Sequence, residues 1–140
     1  MNIQPYLYFE GRAGEAIEFY KQAVGAKTEM LMTFSEAPSE MQSQITPGMA
    51  DKVMHACLKI GDSEVFVSDG QCGGGPASFS GITLTLHARD DAEARTLYAA
   101  LSKGGKEQMP LSETFFATSF GMLADKFGVP WMVLVQKKPN

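Results

Sequence analysis

The sequence predicts an α+β fold built from two βαβββ modules, whose strands form a curved mixed sheet around a cleft. Three observations predict it. A strand, a helix and three further strands can be read twice along the 140 residues. The two helices share residues: Glu15-Ala16-Ile17-Glu18-Phe19-Tyr20 aligns with Glu93-Ala94-Arg95-Thr96-Leu97-Tyr98 at a constant offset of 78. Half a chain of this size cannot bury one face of a four-stranded sheet alone, so the halves are expected to pack together as a single domain. Module one spans about 1–69, a connector about 70–77, and module two about 78–137.

Ile3 to Phe9 is a short apolar and aromatic run that reads as a strand, with Pro5 placing it at an edge or at its own start. From Ala13 the period becomes helical through Ala16, Ile17, Tyr20 and Val24, and Gly25 stands where a C-cap glycine belongs. Lys27 to Phe34 returns to strand character. Ser35 to Ala50 is polar, contains two prolines and has no period, so it reads as a long loop. Val53 to Ile60 and Glu64 to Ser68 form a hairpin around Gly61-Asp62. Asp69 to Ala77 is glycine-rich but lacks the Lys-Ser/Thr and following helix of a phosphate-binding loop, so it is a connector.

In the second module, Ile82 to Leu86 alternates with period two. Asp90-x-x-Glu93 opens a helix with the apolar face Ala94, Leu97, Tyr98 and Leu101, and Gly104-Gly105 ends it. Strands follow at about Glu107 to Leu111, Phe115 to Leu123 and Trp131 to Val135, with a turn around Gly128 before the last.

A net charge of −4 argues against a nucleic-acid surface, which requires a clustered basic footprint. The absence of an 18-residue apolar run argues against a membrane span. The N-terminus lacks the basic start and apolar stretch of a signal peptide, which leads to a cytoplasmic expectation. Cys57 and Cys72 fit neither a zinc knuckle nor a disulfide framework and read as free thiols. Nine methionines suit an irregular core or an adaptable pocket.

Strand alternation selects candidate site residues. On the third strand Met54, Ala56, Leu58 and Ile60 would pack under the helices, turning Val53, His55, Cys57 and Lys59 to the cleft. The same alternation sends Phe66, Ser68, Thr83 and Thr85 there. The result is an apolar pocket with a few polar points, the usual composition of a small-molecule site. His55 could act as a general base beside the Cys57 thiol, or serve as a hydrogen-bonded cleft histidine beside an inert thiol. His87 reads as a solvated loop residue. Asp69 ends its strand and reads as a cap for the loop that follows. Tyr6 and Tyr8 alternate toward the helices, on a strand whose two apolar faces leave their direction open.

Three blocks in order carry a resemblance over essentially the whole chain: Pro5-Tyr6-Leu7-Tyr8-Phe9 leading into Glu15 to Tyr20; Val53-Met54-His55-Ala56 running into Val67-Ser68-Asp69; and Glu113-Thr114-Phe115-Phe116 preceding Asp125 to Met132. With the βαβββ repeat, the sequence resembles the glyoxalase, bleomycin-resistance and extradiol-dioxygenase (vicinal oxygen chelate) superfamily. Within it, the chain is similar to the PhnB/YjdN-like branch, often labelled 3-demethylubiquinone-9 3-methyltransferase-like. The resemblance implies a glyoxalase-like fold and a homodimer, swapped or unswapped. It also implies that a metal, where the superfamily holds one, takes a His or Glu from the first and last strand of each module. The corresponding residues here are Pro5, Phe66 or Ser68, Gly81 and Met132, a set that predicts no metal and no cofactor at the usual positions. The methyltransferase label is not supported by the residues, since a glycine-rich strand-to-helix turn in an alternating α/β chain is missing.

The functional expectation is a small-molecule binding protein, with a lyase, isomerase or transferase using His55 or a relocated metal as the alternative. An oligomeric protein without a small ligand is a third class. Ligand contacts are expected from His55, Cys57, Phe66, Ser68, Thr83, Thr85 and Met132, with the loop from Ser35 to Ala50 as a lid.

Overall fold

The computed structural model describes residues 1–40, 48–70 and 76–138. The chain separates into two compact units, Met1–Ala77 and Ser78–Asn140. Each is a four-stranded mixed sheet with one helix against it, the α+β repeat expected from the sequence.

The first unit contains β1 (Tyr6–Tyr8), α1 (Ala13–Val24), β2 (Lys27–Thr33), β3 (Val53–Ile60) and β4 (Ser63–Ser68). Its strand order is β1-β4-β3-β2; β1 runs parallel to β4 and the other pairs are antiparallel. On β3, Ala56 and Leu58 are fully buried, as expected from the alternation, but Met54 and Ile60 are only half-buried, and Val53 and Cys57 of the other set are buried as well. Register places Leu7 beside Val67, Val67 beside Ala56, and Val65 beside Leu58, so one sheet face is continuously apolar. The face of α1 bearing Ala16, Ile17 and Tyr20 is buried with it, and each large aliphatic removed from water there stabilises the unit by about 1.5–3 kcal/mol. Gly25 closes the helix in the left-handed conformation at φ 68°, as its position predicted.

The strand expected over Ile3 to Phe9 pairs only from Tyr6 to Tyr8. Pro5 stands just before it, its carbonyl accepting from Phe66 N–H at 2.9 Å. Proline has no N–H to add to a ladder, so a short outermost strand suits it. After β2, a 3₁₀ turn at Phe34–Glu36 is fixed by a Thr33/Glu36 capping box. Backbone bonds Phe34 N–H to Lys52 O and Ser35 N–H to Ala50 O draw the ends of the predicted lid together; its residues 41–47 lie outside the described residues.

The second unit contains β5 (Leu84–His87), α2 (Asp91–Ser102), β6 (Lys106–Ser112), β7 (Ala117–Ala124) and β8 (Pro130–Gln136), in the order β5-β8-β7-β6. Leu123, Trp131 and Val133 are buried, with Ala94, Tyr98 and Leu101 of α2. Leu97, assigned to that apolar face, is only half-buried. Gly121 shows how closely α2 approaches the sheet, because a Cβ there would stand 2.7 Å from Tyr98 Cε2 and 3.0 Å from Leu111 Cδ2. The Tyr98 hydroxyl donates to the carbonyls of Met109 at 2.9 Å and Met122 at 3.2 Å. Asp125 organises the turn around Gly128, accepting from Phe127 N–H, Val129 N–H and Trp131 Nε1–H.

The two helices start at Ala13 and Asp91 and end at Val24 and Ser102, 78 apart at both ends. The strands preceding them match at 79 instead. Phe9 N–H bonds Ser68 O as Ala88 N–H bonds Leu134 O, and Tyr6 faces Phe66 as Thr85 faces Met132. The second strand-to-helix connection is therefore one residue shorter. Among the described residues no helix is long and apolar enough to cross a membrane.

Candidate functional site

In the first unit, the sheet face opposite the buried Leu7–Val67–Ala56 row gathers several aromatic side chains. Tyr6 lies directly beside Phe66 across the parallel β1–β4 pair, and Phe66 beside Cys57 across β3–β4. The rings of Tyr6 and Tyr8 stack at 4.8 Å and 6°. Tyr6 meets Phe66 edge-on at 5.5 Å, and His55 lies 5.0 Å from the Phe66 ring and 5.5 Å from that of Tyr6. Tyr6 Oη is 2.7 Å from His55 Nδ1. Such ring separations are those of favourable aromatic pairs, yet Tyr6 and Tyr8 keep 38% and 48% of their surface exposed.

Tyr6 and Tyr8 therefore do not point to the helix, as the alternation of an all-apolar strand had suggested; Leu7 does. The missing signal was the register with β4, which a sequence read strand by strand does not contain. Tyr6 is the residue of this cluster that sequence reasoning left unassigned.

Beside this cluster, Ser68 is buried, its Oγ accepting from Gly70 N–H at 3.0 Å. Cys57 is a buried free cysteine. Burial first, then the carboxylates of Glu64 and Glu29, push its thiol pKa up, which leaves little thiolate and a weak nucleophile. Cys72 lies outside the described residues. Burial, then Tyr8, also push the Tyr6 phenol up, with a Ser68 hydrogen bond opposing them.

Asp69 has a reach that its place at the end of a strand did not announce. Its carboxylate extends back to the start of α1, while residues 71–75 of the loop after β4 lie outside the described residues. Oδ1 accepts from Gly11 N–H at 2.9 Å and Ala13 N–H at 2.7 Å, while Oδ2 accepts from Val53 N–H at 2.8 Å. The residue before α1, Arg12, makes no side-chain cap, and Asp69 satisfies helix-terminal N–H groups in its place. In α2 that work is local: Asp90 accepts from Glu93 N–H, and Glu93 accepts from Arg89 N–H. Asp69 thus ties β1, α1, β3 and β4 together next to the aromatic face.

In the second unit, Thr85 and Met132 face each other across β5–β8, the Thr85 hydroxyl 4.0 Å from the Met132 sulfur. Thr83 precedes β5 and is half-buried, and His87 ends β5 exposed. Register also revises the positions that the resemblance assigned to metal ligands. Pro5 precedes β1 and Gly81 lies three residues before β5, so neither sits on the strand. The paired positions on the first and last strands are Tyr6 with Phe66 and Thr85 with Met132. A phenol, a phenyl ring, a hydroxyl and a thioether do not provide the imidazole and carboxylate donors of a divalent site. Among the described residues, no three His, Cys, Asp or Glu side chains gather in a way that could hold an ion.

The sequence matches, over residues 1–134, the family described as 3-demethylubiquinone-9 3-methyltransferase. It is 36% identical to protein YjdN of Escherichia coli (strain K12), with 99% of this chain and 97% of that protein covered. Among solved structures, it is similar to protein PA1353 from Pseudomonas aeruginosa at a TM-score of 0.85 and 37% identity, covering 99% of each chain. It is also similar to a putative 3-demethylubiquinone-9 3-methyltransferase, PhnB protein, from Bacillus cereus, at a TM-score of 0.79 and 26% identity, covering 96% of this chain and 99% of that one.

Proposed function

From a chain that belongs to the family described as 3-demethylubiquinone-9 3-methyltransferase, we propose a small-molecule binding protein of the wider vicinal oxygen chelate superfamily, working without that superfamily's metal. The observation that carries the proposal is the cluster of Tyr6, Tyr8, His55 and Phe66 on the helix-free face of the first unit. A part-exposed aromatic surface with one imidazole and a buried hydroxyl at its edge is the composition of a ligand site rather than of ordinary surface. The methyltransferase of the family's description is not part of the proposal. S-adenosylmethionine sites of the doubly wound type need a parallel α/β sheet with a glycine-rich strand-to-helix turn, whereas each sheet here has one parallel pair among antiparallel ones.

The donor chemistry at the paired strand positions supports a metal-free site. Elemental analysis of the purified protein is expected to find no stoichiometric Zn, Ni, Mn or Fe; about one ion per chain surviving dialysis would overturn that part. For the binding site, a thermal-shift screen of small metabolites followed by titration is expected to show losses of about tenfold or more in His55→Ala and Phe66→Ala, the scale of one good contact. Thr85→Asp, which sets a carboxylate beside Met132, tests whether binding also responds to that position, and Lys138→Ala is the control. Folded His55→Ala and Phe66→Ala variants that bind like the control would sink the assignment. The protein is further proposed to be a cytoplasmic homodimer, which light scattering on eluted protein tests for assembly.

A second reading, an enzyme that moves a proton with His55, is favoured by the 2.7 Å contact between Tyr6 Oη and His55 Nδ1, the geometry of a hydrogen-bonded acid–base pair. Turnover abolished in His55→Ala while binding persists would select it.

A further inference from the structure

The contact between Tyr6 and His55 bears on which ring nitrogen of His55 carries its proton. Gly70 N–H donates to Ser68 Oγ at 3.0 Å. The Ser68 hydroxyl in turn donates to the Val53 carbonyl at 3.4 Å, at the weak end of such contacts. Tyr6 Oη lies 2.7 Å from His55 Nδ1, and a phenol O–H is a stronger donor to an imidazole nitrogen than an imidazole N–H is to a phenol oxygen. Phenol is far the weaker acid of a phenol–imidazolium pair, and burial here holds it protonated. A neutral imidazole that accepts at Nδ1 carries its proton on Nε2.

We infer that Tyr6 is a positioning residue that fixes His55 as an Nε2–H donor, and that this face takes a flat, conjugated compound bearing a neutral carbonyl-type oxygen. This rests on the ligand-binding reading above and gives it a ligand class. The rings of Tyr6, Tyr8 and Phe66 supply the planar, apolar contact, and His55 supplies a donor with no charge of its own. A neutral oxygen is preferred to a carboxylate because a neutral imidazole N–H offers a carboxylate no countercharge for its desolvation.

Nitrogen-15 NMR of the imidazoles in ligand-free protein, with His87→Gln to assign the signals, reads the tautomer directly. The expected spectrum shows His55 as the Nε2–H form, and Tyr6→Phe turns it into a mixture of tautomers. A predominant Nδ1–H form in the unsubstituted chain overturns the inference. Acetophenone and isopropylbenzene, nearly the same shape with and without the oxygen, serve as binding probes followed by chemical-shift titration. Acetophenone is expected to bind about tenfold more tightly, the scale of one hydrogen bond to a buried donor. That preference should vanish in His55→Phe, which keeps a ring in place, and shrink in Tyr6→Phe. Both probes binding equally overturns the inference while leaving the aromatic site standing. Neither probe binding removes the site and the inference together.

Discussion

Asp69→Ala tests the junction on which the aromatic face depends. The substitution strips the acceptor from three backbone N–H groups, those of Gly11, Ala13 and Val53, all within 2.9 Å of the carboxylate. The carboxylate is 1% exposed, so water replaces it poorly. A hydrogen bond to a charged group contributes about 1.5–3 kcal/mol. The three share one carboxylate and are not additive, and part of the gap left by truncation admits water. The expected loss is therefore about 3–5 kcal/mol, the scale of breaking a buried charged network. Asp69→Asn preserves the shape and one acceptor oxygen but turns an NH₂ toward a donor, and should fall between the two. Urea denaturation followed by far-ultraviolet circular dichroism gives the free energies. Amide exchange then locates the damage, with Gly11, Ala13 and Val53 losing protection first. An alanine variant within about 1 kcal/mol of the parent, the range of ordinary substitutions, would refute the reasoning.

Gly121→Ala should destabilise the second unit by about 1–3 kcal/mol through overpacking, because Tyr98, 2.7 Å from the added methyl, is anchored by two carbonyls and cannot swing away; unchanged denaturation would dismiss that contact. Asp91 has its carboxyl held below the usual range, chiefly by the Ser119 hydroxyl and then by Thr118. The folded value lies below the unfolded one, so the stability it contributes is present above the unfolded value of about 4 and is lost as pH falls through the folded value. The stability gap between the parent and Asp91→Asn should accordingly be flat from neutral pH to about pH 5 and close in stronger acid; a gap that widens in acid would reverse the assignment. Cys57, assayed in a Cys72→Ser background, should react with a disulfide reagent at a tenth or less of the rate of a free cysteine, on the order expected for a raised pKa and burial. Labelling at the free rate would return it to the list of nucleophiles.

The residues that announced the fold are those whose role is local. Ala13, Ala16, Ile17 and Tyr20 specify a helix by spacing, Gly25 its end, and Asp90 with Glu93 the start of the other. The alternation of β3 was legible because its two faces differ: Ala56 and Leu58 on one, His55 and Lys59 on the other. On β1 both faces are apolar or aromatic, so period two gave no direction, and only pairing with β4 shows that Leu7 takes the helix side. The long reach of Asp69 was hidden for a related reason. A carboxylate that ends a strand has acceptors to offer to any N–H nearby, and three that it takes are 16 to 58 residues distant in sequence. The one-residue shortening between β5 and α2 was hidden by the helix alignment, whose constant offset invited the same spacing for the strands.

The parallel pairing of β1 with β4 has a kinetic consequence. β1 is three residues long, and Tyr6 meets a partner 60 positions later, whereas β2, β3 and β4 are neighbours joined by antiparallel pairing. Contacts across that separation have to overcome loop-closure entropy that the hairpin does not face, so β1 docks late in folding and is first to lift in local opening. Half of the aromatic face leaves with it, and the site can be dismantled while the remaining sheet stays paired. A compound seated between Tyr6 and Phe66 would act as a clamp on that edge, because it binds only the docked form. Its signature is slowed exchange of the Phe9 N–H, bonded to Ser68 O at 2.9 Å, at concentrations that hardly move the global melting temperature.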